Sequence, residues 1–537
     1  MSQPKRKEET VGKEMRGTEA LAYVLKELGV KRVFSTVDLP ELVRGELSKA
    51  NLEVEQSHSA KASALMAYTY AVERNDVGTV IQVPGNRLLD GTDVIGQAFM
   101  ESVPLLVIGT IRSYRDVSRA RVGELRTNED LAAILSPVTK VRERIISIEE
   151  LTVTLQKAYN DALSNRPRPV LVEIAEDLFK LKAFPLALGD RKPERKTPDK
   201  NTVMKAVELL INAQRPVALA GYGVLTSSSS SDLIQLAETL DMPVITTVKG
   251  KGVIPSSHPL FAGEGLGSMG TEATNRLVEE ADVILALGTR FTQLSTGGWS
   301  FKFKGLLIHN TVDGEDIGKS YVPHLPAVAD TGLFLKELVK GVKEKLKSSP
   351  SRGTPEVLRK LKREPQVKPH SGLWPIDVVR EVEALGYRMF VDIDAATVDF
   401  IRSRVEKPWD WITSESLIAS GIGVAGPLES KDKSVGVTTI RAALNYFGLI
   451  SHYKARESII LVMDDSMSTY LDTNRSDSPS IGSSGVRTEL SLSKTLNATE
   501  VTAVKELEEA LKADSKGLKI IDVKLEEDYE SVVLPRV

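Results

Sequence analysis

The stretch RPVALAGYGVLTSSSSSDLIQLAETLDMPVITTVKGKG, residues 215–252, together with ADVILALGTRF at residues 281–291, decides the fold. The first apolar run, Val217 to Gly221, is short, continuous and closed by a glycine turn, which is the pattern of a strand buried on both faces. The serines that follow are N-cap candidates for an amphipathic helix. A second strand is expected from Pro243 to Thr247, followed by Gly250 and Gly252, and a third ends in Gly288, Thr289 and Arg290. Parallel strands whose carboxyl ends carry Gly, Thr and Arg build a doubly wound sheet with a ligand crevice at one edge.

Around this segment the chain is long enough for several such layers. Its 537 residues suggest roughly three to four domains. A hydrophobic share of 41% and a charged share of 27% are those of an ordinary globular protein with room for a large core. A net charge of -3 gives no electrostatic footprint for nucleic acid. The absence of cysteine excludes disulfides, thiolate metal sites and a cysteine nucleophile. The amino end, MSQPKRKEETVGKEMRG, has no apolar core, so no secretory leader is expected, and no run reaches the ~20 apolar residues of a membrane span. The expected setting is cytoplasmic, with residues 1–16 as a mobile tail.

Residues 17–180 read as a first α/β layer structure. Thr18 is expected to cap a helix ended by Gly29, and VKRVF, NLEVEQS, VGTVIQV, PLLVIGT, SPVTKV and RPRPVLVEIA follow as strands with helices between them. Residues 181–200, with three prolines, form a linker, and residues 201–345 hold the central sheet. Residues 346–373 are a basic, proline-bearing connector without interleaved aromatics, which reads as a solvated linker. Residues 374–537 alternate again: a helix in WPIDVVREVEAL, a strand in YRMFVDIDAA ending in Asp392 and Asp394, then KSVGVTTI, a helix in AALNYFGLISHYK, a strand in ESIILVMDDSMSTYL, a last helix and a last strand. The fold class is therefore α/β, with three α/β domains.

The residues of the central segment, GYGV, PVITTVKGKGVIPSSHPLFAGEGLGSMGT, ADVILALGTRF and TGGW, resemble the central domain of acetolactate synthase and its thiamine-diphosphate relatives. ESVPLLVIGT, ILSPVTKV and residues 162–174 resemble the pyrimidine-binding domain of that family, and WITSESLIASGIGVAGPLES resembles its approach to the diphosphate site. The resemblance implies thiamine diphosphate and Mg²⁺ as cofactors, with Pro84, Gly85, Asn86, Ser420, Gly421 and Gly423 as candidate contacts. It also implies FAD or ADP in the central crevice of some relatives, which makes Gly221, Gly223, Gly250, Gly288, Thr289 and Arg290 candidates there. Each of these glycines has an equal claim to a plain backbone role. A homodimer or tetramer follows from the same resemblance, with no nucleic acid and no membrane as partner.

Two departures stand at the chemistry. The family's glutamate, which promotes the cofactor tautomer that forms the ylid, falls on Ala60 or Ser59, with His58 as a substitute candidate. The Mg²⁺-binding G-D-G turn falls on Gly436, Val437 and Thr438, and the later asparagine falls on Asp464 or Asp465. Asp464 and Asp465 are the metal candidates, or caps of backbone amides. The leading expectation is a family member with lost or weakened cofactor chemistry that serves as a scaffold, regulatory or inactive subunit beside an active paralogue. The alternatives are an active 2-oxoacid decarboxylase or carboligase, and an FAD or nucleotide binder acting through the central crevice.

Overall fold

The structure, a computed structural model, describes residues 14–534 apart from 114, 115, 117, 118, 120, 191, 364–366, 417, 454–456, 467, 468, 474–478, 484–491 and 515. The expected tail at residues 1–13 lies outside the described residues, and Met15 and Arg16 pair antiparallel with Lys182–Ala183 rather than hanging free.

Three six-stranded parallel sheets organise the described residues. The first comprises β1 (Arg32–Thr36), β2 (Glu53–Ser57), β3 (Gly78–Gln82), β4 (Leu105–Ile111), β5 (Val141–Ile145) and β6 (Val170–Ala175), in the order β2-β1-β3-β4-β6-β5. The second comprises β7 (Pro216–Ala220), β8 (Val244–Thr246), β9 (Phe261–Glu264), β10 (Val283–Leu287), β11 (Leu306–Thr311) and β12 (Leu325–Val328), ordered β9-β8-β7-β10-β11-β12. The third comprises β13 (Arg388–Asp392), β14 (Trp411–Ser414), β15 (Ser434–Thr439), β16 (Ile459–Asp464), β17 (Thr499–Val501) and β18 (Lys519–Lys524), ordered β14-β13-β15-β16-β18-β17. In each sheet the chain first steps one way and then crosses back. The switch points therefore fall between β1 and β3, between β7 and β10, and between β13 and β15, where such sheets open a crevice at the carboxyl ends of the strands.

The central strands are buried on both faces, as the apolar runs require, because helices cover both sides of a parallel sheet. Helix α1 (Gly17–Glu27) is the first of them. Its cap differs from the sequence expectation: Thr18 is buried inside the helix, and Arg16 N–H donates to the Glu19 carboxylate instead. Helices α2 (Ala60–Arg74) and α3 (Thr92–Glu101) flank β3, and α4 (Lys200–Asn212) and α5 (Ser230–Leu240) belong to the second sheet. The strand Phe261–Glu264, for which the sequence carried no strand expectation, extends the second sheet at its edge. Helix α6 (Ile422–Glu429) precedes β15, and the crossover that follows is two short helices, α7 (Ile440–Asn445) and α8 (Phe447–His452), rather than one. ESIILVMDDSMSTYL likewise divides into β16 and a strand Thr469–Asp472 paired antiparallel with Ser480–Ser483.

By compactness the chain forms two units. Residues 1–194, 416–420 and 446–452 make one, and the remainder makes the other. In the second unit the central and third sheets share a core in which Val248, Met269 and Leu294 pack with Val391, Phe400 and Trp411. Trp411 Nε1–H donates to Val248 O at 2.9 Å, and the Glu415 carboxylate accepts from Lys249 N–H at 2.8 Å, Thr292 O–H at 2.9 Å and Ser295 O–H at 2.8 Å. Lys251, wholly buried, lies 3.2 Å from Glu264 Oε1, over the Trp411 ring, and donates to Ile401 O.

The connector at residues 346–373 is more ordered than its composition suggests, since it contains the helix Thr354–Leu361. Arg352 donates to Ala213 O at 2.7 Å, to Gln214 O at 3.3 Å and to Leu240 O, just past α4 and at the end of α5. A cation on the last carbonyls of two helices satisfies orphan acceptors and complements both dipoles. Among the described residues no helix is long and apolar enough to cross a membrane. Replacing Arg352 with Ala is expected to lower stability by about 2 kcal/mol, the range for hydrogen bonds from a charged donor. Urea denaturation checks this, and Arg352→Lys should restore only part of the loss, because an ammonium lacks the planar fork.

Candidate active site

At the first switch point the carboxyl ends of β1 and β3 are bridged by the chain itself. Thr36 Oγ1 bonds Gln82 Oε1 at 3.0 Å, and Arg87 forms an ion pair with Asp38. Pro84 follows a cis peptide, and Gly85 packs so closely on the Thr110 backbone that a Cβ would overlap it. Asn86 Nδ2 reaches Gly123 O at 3.4 Å. Helix α2 opens on Ala60, and Ser59 is its N-cap, its Oγ accepting from Ala62 N–H at 3.1 Å. Ala60 is buried, so the position carries a methyl group packed in the first unit and no carboxylate. His58 is exposed and meets His452 edge-on, with ring centroids 5.5 Å apart.

The segment 416–420 is held in the same unit by α3. Gln97 Oε1 accepts from Ala419 N–H at 2.9 Å, and Glu101 accepts from Ser416 N–H at 2.7 Å and from Tyr68 O–H at 2.6 Å. Ser420, half-buried, ends this segment. Gln97 and Glu101 carry no motif of their own, and only their one-turn spacing on α3 hints that they act together.

The central crevice is closed by backbone. Gly221 N–H donates to Leu287 O at 2.8 Å and Gly223 N–H to Gly288 O at 3.0 Å, so the loops after β7 and β10 bond directly to each other. A Cβ at Gly221 would stand 2.5 Å from Gly288 O, one at Gly223 2.6 Å from Gly288 Cα, and one at Gly250 2.5 Å from Ala220 O. Close backbone approach is therefore what these glycines supply. Thr289 O is bonded at 2.9 Å to His309 Nε2, whose ring is buried and whose pKa is lowered by that burial, while Arg290 is half-buried and partnered. His309 Nδ1 and Asn310 Oδ1 are buried and accept nothing among the described residues.

The third switch point is organised by Asp392, which ends β13. Its Oδ1 accepts from Gly421 N–H at 2.6 Å and Ile422 N–H at 2.9 Å, and its Oδ2 from Gly423 N–H at 3.2 Å and Thr438 O–H at 2.7 Å. Burial pushes its pKa up to about 6, against the pull of these four bonds. Gly423 lies so close to Val437 O, and Gly436 to Gly423 O, that side chains at either would overlap backbone. Two residues past β13, Asp394 pairs with Arg441 of α7 at 2.6 Å, spanning the loops after β13 and β15. Gly436, Val437 and Thr438, where the family's G-D-G turn was expected, lie within β15 itself.

The two metal candidates are both engaged. Asp464 Oδ1 accepts from Ser466 N–H at 3.0 Å, and its Oδ2 pairs with Lys524, whose Nζ also lies 2.9 Å from Asp522 Oδ2. Asp465 Oδ2 accepts from Thr469 N–H at 3.0 Å and from Thr469 O–H. Burial raises the pKa of Asp522, and although burial lowers that of Lys524, the two carboxylates raise it on balance. Among the described residues no group of three or more His, Cys, Asp or Glu is placed to hold a metal ion. Mg²⁺ asks for a near-octahedral set of oxygen ligands. Val437 at the place of the aspartate, and an Asp464 carboxylate already paired with Lys524, do not provide that set, and Ala60 provides no carboxylate for an aminopyrimidine. The described side chains thus lack a carboxylate both at the G-D-G position and at the opening of α2. Lys524, Asp522, Arg441 and Arg87 were not legible as site residues, since only strand register and topology bring them to their partners.

Comparison with known proteins places these features in context. Residues 15–132 match the model of the thiamine pyrophosphate enzyme N-terminal TPP binding domain, and residues 203–338 match that of the thiamine pyrophosphate enzyme central domain. The chain is 27% identical over 482 residues to the acetolactate synthase large subunit of Cyanidium caldarium, covering 83% of this chain and 80% of that one. It is 29% identical over 334 residues to a probable acetolactate synthase large subunit of Methanocaldococcus jannaschii, and 30% identical over 329 residues to a probable 2-ketoarginine decarboxylase of Pseudomonas aeruginosa. These two matches cover 60% of this chain, and 56% and 57% of the relatives' own lengths. The benzoylformate decarboxylase of Polynucleobacter necessarius shares the fold with a TM-score of 0.79 at 17% identity, over 96% of this chain and 100% of that one.

The buried carboxylates give the protein an acid-side stability signature. Asp399, buried and bonded to Ser531 O–H and Val532 N–H, is pushed up to about 6 by burial, as is Asp392. A folded pKa above the unfolded value of about 3.9 means that the native state holds the proton more tightly. This contribution is fully present below about pH 4 and is lost as pH rises through about 6. Stability should therefore rise by about 1 kcal/mol per carboxyl between pH 7 and pH 5. Denaturant titration at the two pH values checks it, and Asp399→Asn should remove about half of the increment.

Proposed function

The chain belongs to the thiamine pyrophosphate enzymes of the acetolactate synthase and decarboxylase type, and from that premise we propose that it is a member whose thiamine-diphosphate chemistry is lost or weakened. In this reading it serves as a scaffold, a regulatory subunit or an inactive subunit beside an active paralogue, in a homodimer, a tetramer or a mixed assembly. The observation that carries the reading is the engagement of Asp464 by Lys524, together with Val437 in the strand where the metal-binding aspartate was expected. A divalent ion there would have to displace an ammonium already tethered to the chain, and it would then find one side-chain oxygen ligand fewer than the family's motif supplies. Ala60 adds the loss of the proton relay, a change that by itself costs on the order of 10² to 10⁴ in rate for a positioned acid or base.

A second reading, an active thiamine-diphosphate and Mg²⁺-dependent 2-oxoacid decarboxylase or carboligase, is favoured by the likeness to acetolactate synthase over 83% of the chain. A third, an FAD or nucleotide binder, has in its favour the buried acceptors His309 Nδ1 and Asn310 Oδ1 near the central crevice. Calorimetry and thermal shift with thiamine diphosphate and Mg²⁺ separate the first two. Ligand at ~100 times its dissociation constant would stabilise the fold by about 2.7 kcal/mol. The proposed reading expects no shift at millimolar cofactor. A shift together with pyruvate turnover would overturn it, and a yellow flavin-loaded protein would favour the third.

A further inference from the structure

We infer that Lys524 is a resident cation: its tethered ammonium keeps a divalent ion out of a pair of buried carboxylates, Asp464 and Asp522, that would bind one in its absence. The inference deepens the proposed reading and rests on it. The parallel register sets Asp464 opposite Lys524, and Asp522 lies two residues back on the same strand, so all three side chains share one face at the carboxyl ends of β16 and β18. The Lys524 ammonium bonds Asp464 Oδ2 and stands 2.9 Å from Asp522 Oδ2. The Asp464 side chain is 5% exposed and that of Asp522 0%, whereas Lys524 is 29% exposed and reaches in from solvent.

Two carboxylates facing one ammonium leave the cluster with an uncompensated negative charge. Asp522 also keeps ligand capacity unused, because its Oδ1 accepts no hydrogen bond among the described residues. A protonated lysine donates three hydrogen bonds and has no lone pair, so it satisfies carboxylates as a cation does while offering nothing to a metal. Remove it, and two buried like charges face each other without a partner, an arrangement that must take up a proton, admit water or capture a cation. Carboxylate oxygens at adjacent strand ends are hard donors of the kind that Mn²⁺, Ca²⁺ and Mg²⁺ select. The path that the lysine stem vacates is the way in.

The test uses Mn²⁺ as the probe on the full chain, read by the loss of the free-ion electron paramagnetic resonance signal. Wild type and Lys524→Arg, which keeps the cation, are expected to leave Mn²⁺ free. Lys524→Ala should bind it at least about tenfold more tightly and gain a Mn²⁺-dependent thermal shift, and the added Asp522→Asn should abolish both. Equal Mn²⁺ binding by wild type and Lys524→Ala, or none by a folded Lys524→Ala, overturns the inference. Should Lys524→Ala fail to fold alone, recovery on refolding with Mn²⁺ but not with K⁺ of matched ionic strength supports it, and failure in both overturns it. A wild type that binds thiamine diphosphate with Mg²⁺ would instead overturn the proposed function, so the two failures are distinguishable.

Discussion

A carboxylate cut off from water has to find its hydrogen bonds inside the protein, and Asp392 does so by gathering three segments onto itself. It ends β13, accepts the amides that begin α6 and takes the hydroxyl of Thr438 from β15, so one side chain ties strand, helix and neighbouring strand at the third switch point. Four donors on one carboxylate hold the backbone at Gly421 and Gly423 tightly enough that neither Gly423 nor Gly436 has space for a side chain. The rest of the third sheet's carboxyl edge is arranged around that fixed point. Asp394 with Arg441 spans the crevice beside it, and Lys524 with Asp464 and Asp522 closes the next pair of strands.

The same device recurs at the first switch point, where Asp38 and Arg87 stand past strands occupying the corresponding places in their sheet. In the central sheet the bridging is done by backbone, through Gly221, Gly223 and Gly288. Three crevices that a doubly wound sheet would ordinarily offer to a ligand are thus each crossed by groups of the chain. In the second unit, Lys251, Trp411 and Glu415 add buried polar bonds between the central and third sheets, and these depend on residues far apart in sequence. A shared scaffold says little by itself about function, which is set by the groups at the ends of its strands and helices.

The strands were legible because a parallel strand buried on both faces is a continuous apolar run, as in Val170–Ala175 and Ile459–Asp464. The edge strand Phe261–Glu264 was not, since four residues with two small members among them carry little pattern. The break between α7 and α8 escaped the sequence for another reason. Tyr446, the residue between them, is buried in the first unit with the Lys61 ammonium over its ring, a tertiary placement that a helical periodicity does not announce. The helix opening at Ala60 and the aspartates at the end of β16 were found by position, because each follows a recognisable strand. Their partners were not, because Lys524 lies sixty residues from Asp464 and only register places it there.

The interlocking of these pairs bears on how the edge answers substitution. Thr438 is held by Asp392, Asp464 by Lys524 and Asp394 by Arg441, so each residue at the edge is half of a bonded couple. Exchanging one member alone would weaken the bonding of its companion, most severely at Asp464 and Lys524, where a buried charge would lose its partner. The edge therefore behaves as a set of coupled pairs, in which two exchanges made together need not cost the sum of the two made singly.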